Sequence, residues 1–472
     1  MLNVNNITES IYTFFGFLRG RRILYFLIIT IITVVLMFTL LYKRMDPRTI
    51  TIGIIIITIF ILSFRNPYLL ILIFILVDLS PVIFDRFDVS IPFLGKVAPR
   101  RMLGFLAIII LLIKSAITRQ KLRFGTPWIW IIFLSIMASV ILSNINALYP
   151  IAAKTQIMAW FQNMVFIFLL INLLDSVKKI NTLFIVYILT TVINILYIFY
   201  TRQFESRSGG FAFDPNYLSQ IIMVTFSYIL SRMPVIKNSY TRIFYYLLII
   251  FIPIEIVLTK SRSGFLCLLI VSALYLFRIH TNWKYVIVAM IVLSILIVYL
   301  PKEYTERTTG IFQKVKEKLP SESRFKLAKV AFEMFKKKPL FGNGSGSFWY
   351  ELGTKYSFGI FKRQRFLVTH NVYMTFLAEY GIVGFMSLII FIIYSFVKFI
   401  RLLKLPRIKE DPEFFLSLFN SFVLFITFNI IIIAFFAGIP PVLFIAIALS
   451  LEHIYEEKYL QKNGGSNNYI KE

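Results

Sequence analysis

Three histidines, His280, His370 and His453, occur in this 472-residue chain. Imidazole is the side chain best suited to taking a proton from a hydroxyl near neutral pH. His370 lies in Val368-Thr369-His370-Asn371-Val372-Tyr373, just ahead of a long apolar run. A histidine there can act as a general base, or it can simply stand at a membrane edge. Arg262 lies in Thr259-Lys260-Ser261-Arg262-Ser263-Gly264, between two apolar runs. Its guanidinium is a rigid fork of donors that fits phosphate oxygens and does not lose its charge. The alternative is an arginine snorkelling from a helix end. Arg324 opens an amphipathic stretch, 322–338, in which Phe325, Ala328, Phe332 and Phe335 recur at helical spacing and Lys326, Lys329 and Lys336 take other faces. Such a helix is expected to lie on or across a membrane surface.

Two further stretches surround these residues. Gly342-Asn343-Gly344-Ser345-Gly346 follows no strand and has no Walker lysine, so it reads as a tight turn whose backbone passes close to a ligand or another helix, not as a nucleotide loop. Ser208-Gly209-Gly210-Phe211-Ala212-Phe213-Asp214-Pro215-Asn216 ends in a turn and helix-start signal, with Arg202 and Arg207 upstream. The single cysteine, Cys267, sits in an apolar stretch and excludes both a disulfide and a cysteine metal cluster.

The elements that must position these groups are membrane spans. Hydrophobic residues make up 58% of the chain and charged residues 15%, too little polar surface to cover a soluble core of this size. With about 20 apolar residues per crossing, the expected spans are 23–42, 48–64, 67–84, 102–117, 127–144, 157–174, 181–200, 216–231, 243–259, 263–278, 284–300, 372–400, 413–436 and 439–455; the short 67–84 and 439–455 are alternatively re-entrant. The fold class is therefore all-α, a polytopic helical bundle of about 12–14 spans. Arg19, Arg21 and Arg22 precede the first run without a cleavage pattern, which reads as a retained helix. The domain reading is 1–300 for the N-terminal spans, 301–370 for one large loop, 371–460 for the C-terminal spans and 461–472 for a disordered cytoplasmic tail.

Basic residues recur at every second connection, as in Lys114/Arg119/Lys121/Arg123, Lys178/Lys179, Arg232/Lys237/Arg242, Arg278/Lys284 and Arg401/Lys404/Arg407/Lys409. The positive-inside rule puts these in the cytoplasm and the loop 301–370 outside, which leaves His370 as the one outward histidine. Cations that break the rule are then conspicuous: Arg100/Arg101, Arg202, Arg207, Lys260 and Arg262, and a loop 301–370 with 15 Lys and Arg against 6 Glu. They suit either an anionic ligand on the outer face or contact with lipid headgroups. The net charge of +27 does not indicate nucleic acid binding, because no polar basic domain is present to provide it.

Taken together and in this order, the Gly-Gly-Phe…Pro-Asn turn at 209–216, Ser-Arg-Ser-Gly at 261–264, Arg324, Pro339-Leu340-Phe341-Gly342-Asn343-Gly344, and His370-Asn371-Val372-Tyr373 followed by Leu377-Ala378-Glu379-Tyr380-Gly381-Ile382-Val383-Gly384 resemble the O-antigen ligase and polymerase superfamily of bacterial membrane proteins. The resemblance covers about residues 200–390. It implies a helical membrane fold in the bacterial cytoplasmic membrane, with a large loop over an outward-facing active site. It also implies an undecaprenyl-diphosphate-linked glycan donor, a glycan, lipid or protein acceptor, and metal-independent transfer with no cofactor. By the same resemblance Arg262 and Arg324 bind the donor diphosphate and His370 is the general base; Arg202, Arg207, Lys260, Asn216, Asn371, Tyr373, Arg363 and Arg365 are the candidate substrate-binding residues around them. One departure is Ala328, where family members often have tryptophan one turn after the loop arginine; Arg307, Arg363 and Arg365 are the alternatives to Arg324. Physical chemistry agrees, since two fixed guanidiniums in a poorly hydrated groove can stabilise a diphosphate leaving group where a metal otherwise would.

Ligase and repeat-unit polymerase share this donor chemistry and differ in acceptor. A transporter or flippase for lipid-linked sugars is the reading from another class. It predicts ionisable residues inside the spans and two similar halves, whereas the spans hold few such residues, among them Asp78, Glu255 and Glu379.

Overall fold

The structure is a computed structural model that describes residues 58, 62–63, 66–80, 89–91, 95–97, 99–145, 147, 149–201, 209–210, 214–278, 323–356, 367–431 and 440–460. The expected spans 23–42 and 284–300, most of 48–64, the long loop as far as residue 322, the tail 461–472, and His280, Arg202, Arg207, Arg307, Arg363 and Arg365 lie outside the described residues.

The chain divides into two compact units, Met1–Leu122 and Arg123–Glu472. In the first, helix α1 (Tyr68–Leu79) packs against α2 (Pro99–Thr118). The close approach uses Gly104, which has only the edge of the Phe74 ring, 3.8 Å from where a Cβ would stand, above it. Between them in sequence, β1 (Val89–Ile91) pairs antiparallel with β2 (Gly95–Val97), a small hairpin among described residues that are otherwise helical or loop.

The second unit contains α3 (Pro127–Asn144), α4 (Pro150–Leu173), α5 (Val177–Tyr200), α6 (Pro215–Arg232), α7 (Ser239–Leu258), α8 (Arg262–Arg278), α9 (Ser323–Lys337), the short α10 (Ser347–Glu351), α11 (Val372–Lys404), α12 (Pro412–Ile431) and α13 (Pro440–Tyr455). Five of these begin on proline, whose missing N–H costs nothing in the first turn of a helix. Others begin at side-chain caps: Asp214 accepts from the N–H groups of Asn216 and Tyr217, and Asn371 from those of Tyr373 and Met374. Helices α3, α4, α5, α6, α7, α11 and α12 are long and apolar enough to cross a membrane.

These helices are arranged in the inside-out manner expected in lipid. Ile131, Leu134, Phe161, Leu189, Ile250 and Ile393 point outward and are exposed, while Ser, Thr and Asn side chains are buried between helices. Ser135 meets Ser387 at 2.7 Å between α3 and α11, and Thr191 meets Thr225 at 2.7 Å between α5 and α6. Asn420 of α12 accepts from Ser227 of α6 at 2.6 Å and from Tyr275 of α8 at 3.2 Å. Such interhelical bonds contribute about 0.6 kcal/mol each on average. They also fix which helix faces which, because acyl chains offer nothing to bond.

Helix α9 carries the amphipathic stretch, and the face it packs against the protein is not the phenylalanine one. The face it buries is Leu327, Val330, Ala331 and Met334, packed with Phe348, Leu352 and Ala378. Phe325 and Phe332 stay exposed. The stretch therefore carries two apolar faces, one packed on the protein and one, with Phe325 and Phe332, turned outward.

Candidate active site

Arg262 is the first residue of α8, and the chain reaches it through a tight turn from α7. Lys260 adopts a left-handed conformation (φ 49°) in that turn. Thr259 Oγ1 donates to Ile256 O at 2.7 Å and accepts from the Ser261 N–H at 3.2 Å. Ser261 Oγ accepts from the Gly264 N–H at 3.1 Å, which satisfies a free donor of the first turn of α8. The serines on either side of Arg262 converge on one atom, Asn216 Oδ1 at the start of α6, with Ser261 Oγ at 2.8 Å and Ser263 Oγ at 3.3 Å. Ser219 Oγ, one turn further along α6, meets Thr259 Oγ1 at 3.1 Å. Gly264 allows this closeness, because a Cβ there would lie 2.5 Å from the side chain of Ser219. A cation at a helix N-terminus opposes the helix dipole. Arg262 therefore does not serve the stability of α8; it adds to the positive potential that a helix start already presents to an anion.

His370 stands immediately before α11, also in a left-handed conformation (φ 52°). For a side chain with a Cβ this costs roughly 1–2 kcal/mol, so its neighbours must enforce it. Buried Thr369 accepts from the Asn371 N–H at 3.2 Å and donates to Asn371 O at 2.9 Å. The Asn371 side chain caps α11. Tyr373 donates to Asn429 O of α12 at 2.5 Å. Asn216, Asn371 and Tyr373, expected to bind substrate, thus have polar atoms that hold Arg262 and His370 in place. Arg324 is the second residue of α9, a helix that packs on α11.

A third construction joins α9 to α11. Helix α11 is broken at Gly381 (φ 64°, ψ −162°). The two helical bonds missing there are replaced by four to the glycine turn. The carbonyls of Ala378 and Glu379 accept from the N–H groups of Asn343 (3.1 Å) and Gly344 (2.9 Å). The N–H groups of Ile382 and Val383 donate to the carbonyls of Pro339 (2.8 Å) and Leu340 (3.3 Å). Asn343 Nδ2 also donates to Met334 O of α9 and to Ala378 O, and Glu379 Oε1 accepts from the Phe348 N–H. A Cβ on Gly342 would lie 2.4 Å from the Glu379 carbonyl, and one on Gly381 2.4 Å from the Leu340 carbonyl. The turn is also pinned to α3, where Asn144 Oδ1 accepts from the Ser345 N–H at 2.7 Å, and to α11, where Ser345 Oγ donates to the Tyr380 hydroxyl at 3.2 Å.

Sequence reasoning anticipated the close backbone approach of the glycine turn but not its partner. It also missed Asn144, Asn194 and Asn429. Asn194 is buried in α5, and its side chain lies where a Cβ on Gly210 would stand, so it seats the Gly-Gly turn. Lone asparagines inside or at the ends of apolar runs are the signal that would have found all three. Beside the site, the Lys337 ammonium bonds the Tyr356 hydroxyl at 2.6 Å, and that bond, with the nearby Glu351 and Glu333, holds its pKa above the ordinary lysine value despite slight burial.

A bundle of apolar helices with such a polar junction at one end defines a polytopic membrane protein with a candidate anion-binding centre. Residues 246–389 match a family model described as O-antigen ligase, and this match supports a membrane protein of the O-antigen ligase and polymerase superfamily. The matched span includes Arg262, Arg324, His370 and both halves of the glycine-turn lock. Among curated proteins, none matches the chain. The family named by that model suggests a glycosyltransferase-like enzyme.

Proposed function

We propose that the protein transfers a glycan from an undecaprenyl-diphosphate donor to an acceptor hydroxyl, at the outer face of the bacterial cytoplasmic membrane, in the assembly of a cell-surface polysaccharide. The observation that carries this reading is the neutral cradle that fixes Arg262 at a helix start, inside the stretch matching the O-antigen ligase family. The acceptor oxygen attacks the anomeric carbon as the bond from that carbon to the diphosphate oxygen breaks. The electron pair leaves with undecaprenyl diphosphate, whose charge Arg262 and Arg324 stabilise. His370 takes the acceptor proton. Lys260, Arg202, Arg207, Arg363 and Arg365 add positive charge around the donor, and Asn216, Asn371 and Tyr373 act by holding the two reacting positions.

The test is transfer by the purified protein in lipid nanodiscs with a lipid-linked glycan donor. Arg262→Ala, Arg324→Ala and His370→Ala are expected to abolish product while the protein still inserts. Full activity of His370→Ala would sink the base assignment. Ligase and polymerase separate in cells lacking the protein: finished lipid-linked polymer accumulates in the first case and single lipid-linked repeats in the second.

A further inference from the structure

Helix α9 has three sectors around its axis. Leu327, Val330, Ala331 and Met334 form the buried one. Phe325, Ala328, Phe332 and Phe335 lie roughly a third of a turn away at helical spacing, with Phe325 64% and Phe332 45% exposed. Lys326, Lys329, Glu333 and Lys336 fill the remainder, and the Lys336 ammonium stands 5.0 Å from the centre of the Phe332 ring. The turn after the helix extends the apolar surface with Leu340, 61% exposed, and Phe341, 44% exposed. Burying a phenylalanine side chain gains about 1.5–3 kcal/mol, so water is a poor neighbour for this face.

Residues 325–341 contain five lysines and one glutamate. Whatever covers the face must therefore offer apolar depth beside negative charge. Protein interfaces are depleted in lysine. A bilayer containing anionic lipid provides both chemistries in layers, and helices with aromatics on one side and lysines on the flank lie in it. We propose that α9 and the turn after it rest on the bilayer surface through this face, with the phenylalanines below the headgroups and Lys329 and Lys336 among anionic ones. This contact sets the height of Arg324, one residue before Phe325, at the depth where the phosphates of a lipid-linked substrate lie. The lipid contact stands apart from the reaction; only its consequence for Arg324 rests on the function proposed above.

The experiment uses the full chain in nanodiscs, with Cys267→Ser and a single cysteine at Phe325 or Phe332 carrying an environment-sensitive NBD label. The expected result is blue-shifted emission, quenched by doxyl-labelled lipid and protected from aqueous iodide. Quenching by iodide without quenching by doxyl lipid would overturn the proposal, since the face would then meet water, glycan or protein. Phe325→Trp, read with brominated lipids against the parent protein, repeats the test with a side chain that fits the site. Doxyl quenching should be stronger in phosphatidylglycerol than in phosphatidylcholine discs, and Lys329→Gln with Lys336→Gln should remove the difference. A difference that survives those changes refutes the role of the lysines. Lipid quenching together with an Arg324→Ala variant that transfers normally would keep the lipid contact and remove the donor role of Arg324.

Discussion

The two ends of the second unit are held together by different chemistry. At the end where α6 finishes and α12 starts, opposite charges meet: Arg123 with Glu457 (2.8 Å), Arg232 with Glu413 (3.1 Å), Lys458 with Asp411 (2.5 Å), and Lys398 with Glu452. His453 joins them through Glu457 at 2.8 Å. At the other end the bonds that fix Arg262 and His370 come from serine, threonine and asparagine, and the close contacts are made by glycine. Half-exposed ion pairs tolerate loose geometry and contribute little. Hydroxyl and amide bonds fix the backbone and add no opposite charge of their own. The anion site proposed for this end would be served by the second kind of support.

Changes at the site end should therefore act strongly, and changes at the ion-paired end weakly. Arg262→Ala is expected to abolish detectable transfer in a nanodisc assay, a loss of at least about 100-fold. The melting temperature should stay close to that of the parent, since the cradle is made by its neighbours. Gly342→Ala drives a Cβ into the Glu379 carbonyl and should cost more than about 3 kcal/mol, read as loss of folded protein on size exclusion after mild heating. Asn216→Ala removes the acceptor shared by Ser261 and Ser263. At about 1 kcal/mol per bond it should destabilise by about 2 kcal/mol and reduce kcat. Arg232→Ala, at the opposite end, should cost less than about 1 kcal/mol and leave transfer unchanged; a loss as large as that of Asn216→Ala would erase the contrast.

The smallest effect is a pH dependence. Burial alone would raise the Asp411 carboxyl, but bonds from Lys458 and the Phe414 N–H hold it below its ordinary value. A carboxyl lowered in the folded state stabilises above its unfolded pKa of about 3.9, and that contribution is lost as pH falls through the folded value. Thermal unfolding in acid should show a shallow decline that Lys458→Ala makes shallower still.

Hydropathy alone located most of the frame. The apolar run at 127–144 has the limits of α3, because Pro127 and Asn144 punctuate it. The run at 157–174 corresponds to α4, but that helix starts at Pro150, and Lys154 and Gln156 in its first turns hid two turns of helix. The break in α11 could not be read from hydropathy, since Gly381 lies inside the single span expected at 372–400 and the break shows only in its backbone. The motifs around 342 and 380 were each visible; that one completes the hydrogen bonding of the other is a tertiary fact with no local signal. The hairpin at 89–97 lies in the connection between two expected spans, where three-residue strands carry too little pattern to register.

The exchange of bonds at Gly381 also bears on the order of biogenesis. Four backbone groups of α11 find partners only in residues 339–344, and each such group left bare in hydrocarbon costs several kcal/mol. The partners precede α11 in the chain, so under the proposed topology they are carried across before that helix enters the bilayer. A translocation delay in that loop should leave α11 half-inserted and exposed to quality-control proteases, even though its hydropathy alone would send it in.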